Sequence, residues 1–303
     1  MNKQELFTLL SRKIASTAWP EGKLVFITSG IRVVGTDTSH SMLPCNHEEA
    51  DTRILIHLLD ALEHGSSTCL VRTVDMDVVV ILIGKFHALL TKYPAADIWV
   101  AFGTGKNYTY LHINTICHAL GKDKSTALPA FHCYTGCDTT SAFCGKGKKS
   151  AWVAWNSYPE VTQAFNYMAA NPHTPVTIDA QHFKPLERYT VVLYDKTSDL
   201  EFVNEARREL FCQNNKMMEH IPLTQDSLLQ HLRRVAYQSG IWATAELAQQ
   251  PTPSPEGCGW TLDGDSQIQC DKCERWFHEQ CLGMDTEDLE QAREDSWNCC
   301  LCA

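Results

Sequence analysis

The sequence predicts an α/β body with a mostly parallel sheet and flanking helices, followed by an α-helical extension and a small cysteine-rich module. Three observations predict this order. Strand-like apolar runs alternate with helical patterns in the first half of the chain, which is typical of βαβ units. Only helical patterns follow residue 152. Seven of the 14 cysteines fall within residues 258–302, so the end of the chain has a composition of its own.

The first half contains three strand patterns and two helix patterns. We predict strands at Lys23–Gly30, Thr68–Thr73 and Ile98–Phe102, and helices at Glu48–Gly65 and Tyr110–Gly121. In the first helix the apolar residues recur on one face, acids occupy the first turn and Gly65 offers a C-terminal stop. These elements make up a predicted α/β domain over residues 1–152.

The second half is predicted to be helical and to end in a linker. Helical patterns cover Asp199–Gln213 and Leu223–Gln250, and Thr224 is a candidate N-cap. The segment "QQPTPSPEG" has prolines that disfavour a helix and favour an extended chain. We therefore predict a helical extension at residues 153–250, a linker at 251–257 and a finger at 258–302.

Composition and charge limit the class of protein. The chain has 303 residues, 44% of them hydrophobic, and a formal net charge of −10. That charge argues against a surface built for nonspecific nucleic-acid binding, although a local basic patch stays open. No apolar run approaches the roughly 18 residues that a membrane span requires, and the first residues do not resemble a signal peptide. We predict an intracellular protein without a membrane contact, and its oligomeric state stays open.

Acidic residues cluster at positions where a parallel sheet would bring them together. Asp75 and Asp77 follow a predicted strand, and Glu49 and Asp51 open the preceding helix. Asp138 precedes a turn rich in glycine and lysine. Ligand sites of α/β sheets lie at the carboxyl ends of the strands, and carboxylate oxygens suit Mg²⁺. The alternative for any one acid is that it favours a helix N-terminus or lies in a loop.

Two further segments allow more than one interpretation. In "GKGKK", Lys146, Lys148 and Lys149 could contact a phosphate of DNA, with glycine amides beside them, or could form a solvated basic turn. In "FHCYTGC" (Phe131–Cys137), a Cys/His metal site and a buried thiol pair are both possible.

The body resembles the PIN-like 5′ nucleases of the flap-endonuclease group through three ordered motifs, "EEAD", "VDMD" and "GCDTTSAFCGKGKKSA". More narrowly, "HEEADTRIL", "TGCDTTSAF" and "NEARRELF" resemble an uncharacterised group of animal proteins related to transposable elements. The nuclease resemblance implies metal-dependent phosphodiester cleavage. It also implies that the metal ligands are Glu49, Asp51, Asp75, Asp77 and Asp138. Acids that such nucleases carry on earlier strands have no counterpart here, which suggests an N-terminal truncation.

The cysteine-rich module has the ligand spacing of a zinc site. Cys270 and Cys273 form one Cys-x₂-Cys pair, His278 and Cys281 follow, and Cys299 and Cys302 form a second pair. Thiolates and imidazole at this spacing suit tetrahedral Zn²⁺. A module with so little room for a core requires the metal to fold.

The module resembles a PHD finger, in which two zinc ions are held by interleaved ligands. That resemblance assigns one zinc to Cys270, Cys273, Cys299 and Cys302. The other zinc would use Cys258, His278 and Cys281, but its fourth ligand is missing because Pro255 or Thr261 stands in that position. Asp263, Asp265 or a water molecule could complete it, so one or two zinc ions are expected. Cys300 is surplus.

The two resemblances lead to two main hypotheses of function. A PHD finger implies a nuclear protein that reads a histone tail, with Trp276 as a wall of an aromatic cage or as a packing residue. In that case the nuclease-like body has lost its catalysis. The second hypothesis is an active, Mg²⁺-dependent, structure-specific nuclease. A third is a mobile-element remnant joined to a finger, with a body that has only a packing role.

Overall fold

The computed structural model describes residues 3–36, 44–172, 174, 176–214, 221–250, 267–269, 276–278, 290–292 and 297. The chain forms two compact units, Met1–Pro253 and Ser254–Ala303. None of the helices in the described part is long and apolar enough to cross a membrane.

The first unit begins with a helix and a hairpin. Helix α1 covers Lys3–Ala15, and strands β1 (Phe26–Ser29) and β2 (Arg32–Gly35) pair in an antiparallel arrangement. The strand predicted at Lys23–Gly30 therefore forms in part, but it is half-buried and pairs with its sequence neighbour instead of joining a parallel sheet. Gly30, whose φ is 63°, forms a tight turn directly after β1. The turn reverses the chain, so β1 pairs with β2.

The central sheet has three strands in the part of the chain that the structure describes, and it is mixed. The elements around it are α2 (Ala50–Glu63), β3 (Thr68–Thr73), α3 (Met76–Lys92), β4 (Asp97–Phe102), β5 (Thr109–His112) and α4 (Ile113–Leu120). The strand order is β3-β4-β5, with β3 parallel and β5 antiparallel to β4. The predicted strand Thr68–Thr73 is confirmed. The expectation of a mostly parallel sheet is not met, because the observed sheets are small and mixed.

A glycine turn explains the antiparallel strand. Gly103 follows β4 with a φ of 83°, and a Cβ there would overlap the carbonyl oxygen of Asn107. Only glycine fits this close approach, which reverses the chain directly after β4. The residues Tyr110–His112, predicted as the start of a helix, consequently belong to β5, and the helix begins only at Ile113.

Six further helices lie in the described residues of the first unit. They are α5 (Lys122–Tyr134), α6 (Lys148–Ser157), α7 (Val161–Ala170), α8 (Phe183–Tyr194), α9 (Val203–Asn214) and α10 (Gln225–Ala243). The side chain of Thr224 accepts a hydrogen bond from the Ser227 amide, so the predicted N-cap of α10 is confirmed. Helix α10 packs on α3, α5 and α7. One core runs from Phe86 and Ile98 through Trp155 to Leu232, and it joins the sheet half to the helical half.

The second unit is described over a few residues only. Strands β6 (Gln267–Gln269) and β7 (Trp276–His278) pair in an antiparallel arrangement, with Trp276 opposite Gln269 and His278 opposite Gln267. The predicted ligands Cys258, Cys270, Cys273, Cys281, Cys299 and Cys302 lie outside the described residues.

Candidate functional site

A strand-to-helix turn fixes two of the predicted acids. Strand β3 ends at Thr73, whose hydroxyl accepts a hydrogen bond from the Asp75 amide at 3.0 Å. Asp75 is the N-cap of α3, and its Oδ1 accepts a hydrogen bond from the Asp77 amide at 3.0 Å. Capping the helix is therefore one role of Asp75. It occupies one carboxylate oxygen of Asp75 and leaves the other for a further ligand.

The first turn of α2 brings a third acid to the same place. One carboxylate oxygen each of Asp51, Asp75 and Asp77 lies within 4.8 Å of the other two. Asp51 and Asp77 are half-buried, whereas Asp75 is exposed, so the group opens to solvent on one side. We call these three residues the aspartate cluster. Three carboxylates at this separation, with access for water, are a donor set that suits a divalent cation with oxygen ligands.

The pKa of Asp51 reflects its burial and the closeness of the other acids. Burial, followed by the charges of Asp75 and Asp77, raises the pKa of Asp51 from its ordinary 3.8 to about 6. Glu49 and Asp138 contribute smaller repulsions to the same shift, so both predicted acids lie near the cluster without belonging to it. Burial also raises the pKa of Glu49. Such repulsion between like charges is what a bound cation would relieve.

Residues that the sequence did not indicate surround the cluster. His132 on α5 is 8% exposed, and its Nε2 lies 3.0 Å from Asp77 Oδ1. From α10, Gln238 Nε2 lies 3.4 Å from Glu49 Oε2, and the ring of Trp242 lies 6.0 Å from that of His132. Only the segment "FHCYTGC" had drawn attention to His132, as part of a possible Cys/His site. Nothing in the sequence pattern connects α10 with the acids.

The three lysines predicted to contact nucleic acid have different surroundings. The Lys148 ammonium donates hydrogen bonds to the His132 carbonyl (3.0 Å), the Thr135 hydroxyl (3.0 Å) and the Gly136 carbonyl (2.6 Å). It thereby satisfies the C-terminal end of α5. Lys146 Nζ lies 5.0 Å from the centre of the Tyr194 ring, and Lys149 is exposed. Contact of these lysines with nucleic acid stays a prediction.

The cysteines near Asp138 form a thiol pair. Cys133 is buried and Cys137 half-buried, and both are free. Burial raises the pKa of Cys133 well above its ordinary value, whereas a hydrogen bond from Cys133 lowers the pKa of Cys137 to about 5. Among the described residues, three or more metal-ligand side chains come close together only in the aspartate cluster. Cys133, Cys137 and His132 do not form such a group. The described part of the chain therefore favours the thiol-pair interpretation over a Cys/His metal site.

The second unit carries the other candidate site, for which the backbone of β7 is described. His278 ends β7 and Trp276 begins it, so one predicted ligand and the predicted cage residue share a three-residue strand. Residues 256–302 match the PHD-finger family. The PHD-finger segment contains every predicted zinc ligand and begins two residues before Cys258. No curated protein and no solved structure gives a significant match to the chain.

Proposed function

We propose that the protein is a zinc-binding PHD-finger protein of the nucleus that recognises a histone-tail peptide. The observation that carries this proposal is the match of residues 256–302 to the PHD-finger family. Six cysteines and one histidine of that segment have the spacing of its zinc ligands. Zinc would supply the folding energy of a module that is too small for a core of its own.

Peptide binding would depend on Trp276 in this proposal. An indole ring attracts an alkylated ammonium group through its π face. The test is a histone-peptide array probed with the zinc-loaded full chain and with a Trp276→Ala variant. Binding of a methylated lysine peptide that is lost in the variant supports the proposal. If the wild-type chain retains zinc but binds no peptide on the array, the reader function is wrong.

A second function is favoured by the aspartate cluster. We propose that Asp51, Asp75 and Asp77 hold a divalent cation, with Glu49 and Asp138 as charged neighbours. The geometry that supports this is the approach of three carboxylates within 4.8 Å. The pKa of Asp51 is raised first by burial and then by the charges of Asp75 and Asp77, and a bound cation would replace that repulsion by attraction. The resemblance of three sequence motifs to those of PIN-like nucleases points to the same residues.

The chemistry of this second function would be hydrolysis of a phosphodiester. A cation bound there would polarise a phosphate oxygen and favour the ionised form of a bound water. His132 holds one oxygen of Asp77, and the helix cap holds one oxygen of Asp75, so these two carboxylates have fixed orientations before any ligand binds. Fixed ligands lose less entropy when a cation binds.

The test for the second function is cleavage of flapped or branched DNA with added Mg²⁺. Asp75→Asn is the informative variant, because asparagine retains an N-cap oxygen but lacks the negative charge. We expect Asp75→Asn to abolish metal-dependent cleavage while the variant stays folded by circular dichroism. If the wild-type chain does not cleave these substrates, the proposed nuclease function is wrong. The PHD finger would then be the remaining candidate site.

A further inference from the structure

Within the described residues of the first unit, the sheet β3-β4-β5 is packed against the core on one face and has exposed side chains on the other. Val71, Ile98 and Val100 point into the core. On the opposite face, the register places Leu70, Trp99 and His112 in one row and Arg72, Ala101 and Tyr110 in the next. Leu70 is 60% exposed and Tyr110 is 58% exposed. Trp99 and His112 are half-buried and Ala101 is buried, so the exposed part of this face consists mainly of Leu70 and the tyrosines.

The rings of this face are held in fixed positions. Trp99 and His112 stack with their centroids 4.2 Å apart and their planes at 11°. Asp97 holds both of them, since one oxygen accepts from Trp99 Nε1 at 2.9 Å and the other lies 2.7 Å from His112 Nε2. Tyr108 and Tyr110 meet edge to face at 5.4 Å. A ligand that stacks on these rings would therefore meet a preorganised surface.

Positive charge lies at the end of the face nearest the aspartate cluster. The Arg72 guanidinium donates to the carbonyl oxygens of Thr73 (2.5 Å), Ala101 (3.0 Å) and Gly103 (2.7 Å). Its carbon lies 5.2 Å from the centre of the Tyr108 ring. Lys106 is exposed in the loop between β4 and β5. These two cations adjoin the exposed tyrosines in a chain whose net charge is −10.

We infer that this face binds a single strand of nucleic acid. We define the aromatic face by Leu70, Arg72, Trp99, Tyr108, Tyr110 and His112. Unpaired bases stack on exposed tyrosine rings, and the phosphates between them are attracted by Arg72 and Lys106. A duplex would not bind in this way because its base faces are already stacked. Leu70 is the one exposed aliphatic side chain among the six, so the composition favours bases over an aliphatic protein surface.

The inference adds a surface that neither proposed function uses. It does not depend on cleavage at the aspartate cluster or on the PHD finger. The face ends where β3 ends, two residues before Asp75, so a strand bound on it would lead toward the cluster. Binding and cleavage can consequently be separated: Asp75→Asn would remove cleavage, whereas a change at Tyr110 would weaken binding.

The experiment measures binding of a fluorescein-labelled oligothymidylate to the full chain by fluorescence anisotropy. Ca²⁺ replaces Mg²⁺ so that the strand is not cleaved. We expect Tyr110→Ser to weaken binding by about 5-fold or more, the lower end of the effect of losing one stacking ring. Tyr110→Phe retains the ring and should bind as the wild type does. Phe211→Ser removes an exposed ring from α9 and serves as the matched control.

Salt dependence tests the role of the cations. Each phosphate neutralised on a single strand contributes about −0.7 to the slope of log K against log salt concentration, so Lys106→Gln should make the slope shallower by about that amount. The inference is overturned if the wild-type chain does not bind the strand, if Tyr110→Ser binds like the wild type, or if a duplex binds equally well. It is also overturned if Tyr110→Ser instead converts a dimer to a monomer in light scattering, because a second copy would then cover the face.

Discussion

His132 Nε2 lies 3.0 Å from Asp77 Oδ1, and this contact joins α5 to the N-terminus of α3. Because the His132 side chain is only 8% exposed, removal of its ring would leave Asp77 without this partner in a half-buried position. We expect His132→Ala to lower the free energy of unfolding by about 1–3 kcal/mol. Urea denaturation measures the change. His118→Ala, at an exposed site on α4, is the control, and an equal loss in both variants would contradict the role given to His132.

Asp51 should make the stability of the first unit depend on pH. Its pKa is raised from 3.8 to about 6 in the folded protein, first by burial and then by Asp75 and Asp77. The stability contributed by the protonated acid is fully present below pH 3.8 and is lost as the pH rises through about 6. We expect Asp51→Asn to unfold at a higher temperature than the wild type at pH 7.5 in buffer without added divalent cations. The difference should shrink as the pH falls from 6 toward 4.

The same pair of proteins tests cation binding. Added Mg²⁺ should raise the unfolding temperature of the wild type and have a smaller effect on Asp51→Asn, because the variant offers one fewer charged ligand. Asp226→Asn changes an exposed first-turn carboxylate of α10 and should respond to Mg²⁺ like the wild type. An identical response of all three proteins would show that any Mg²⁺ effect arises elsewhere.

Lys148 and Lys149 are neighbours with different contacts, so they form a matched pair. The Lys148 ammonium holds two carbonyl oxygens and one hydroxyl at the end of α5. We expect Lys148→Met to cost about 1–3 kcal/mol of unfolding free energy, since it leaves those acceptors without their charged donor. Lys149→Met should change stability by less than about 0.5 kcal/mol. Guanidinium denaturation of both variants checks this, and equal stabilities would contradict it.

Two adjacent cysteines separate the predicted zinc ligands from the surplus thiol. Cys299 is assigned to the four-cysteine site, whereas Cys300 has no assigned role. We expect Cys299→Ser to contain one zinc ion fewer than the wild type and Cys300→Ser to retain the wild-type content. Native mass spectrometry of the full chain counts the zinc. Loss of zinc in Cys300→Ser with retention in Cys299→Ser would shift the ligand assignment by one residue.

Sequence patterns predicted those elements whose periodicity is strong and whose ends have clear signals. Strand β3 contains a short apolar run preceded by the turn residues Gly65–Ser67, and α2 carries a continuous apolar stripe, so both were predicted to within two residues at each end. Strand β5 was missed because its four residues have no alternation and adjoin a helix. The tight turn after β4, which decides the direction of β5, depends on the backbone conformation of Gly103.

For the candidate site in the first unit, sequence reasoning identified acids that lie together in the structure but not the residues that neighbour them. Asp51, Asp75 and Asp77 were chosen because acids at the carboxyl edge of a sheet suit a cation, and the structure brings them together. His132, Gln238 and Trp242 could not be chosen in this way, since they reach the acids only through the packing of α5 and α10. The spacing of these residues along the chain does not predict that packing.

The contact between Gln238 and Glu49 joins residues that are 189 positions apart in the chain. Synthesis on the ribosome runs from the N-terminus, so α2, β3 and α3 emerge long before α10 exists. Native contacts of such high sequence separation form late and slowly. The acids should therefore meet one another early in folding, while the wall that α10 places beside them is added only after nearly the whole first unit has been made.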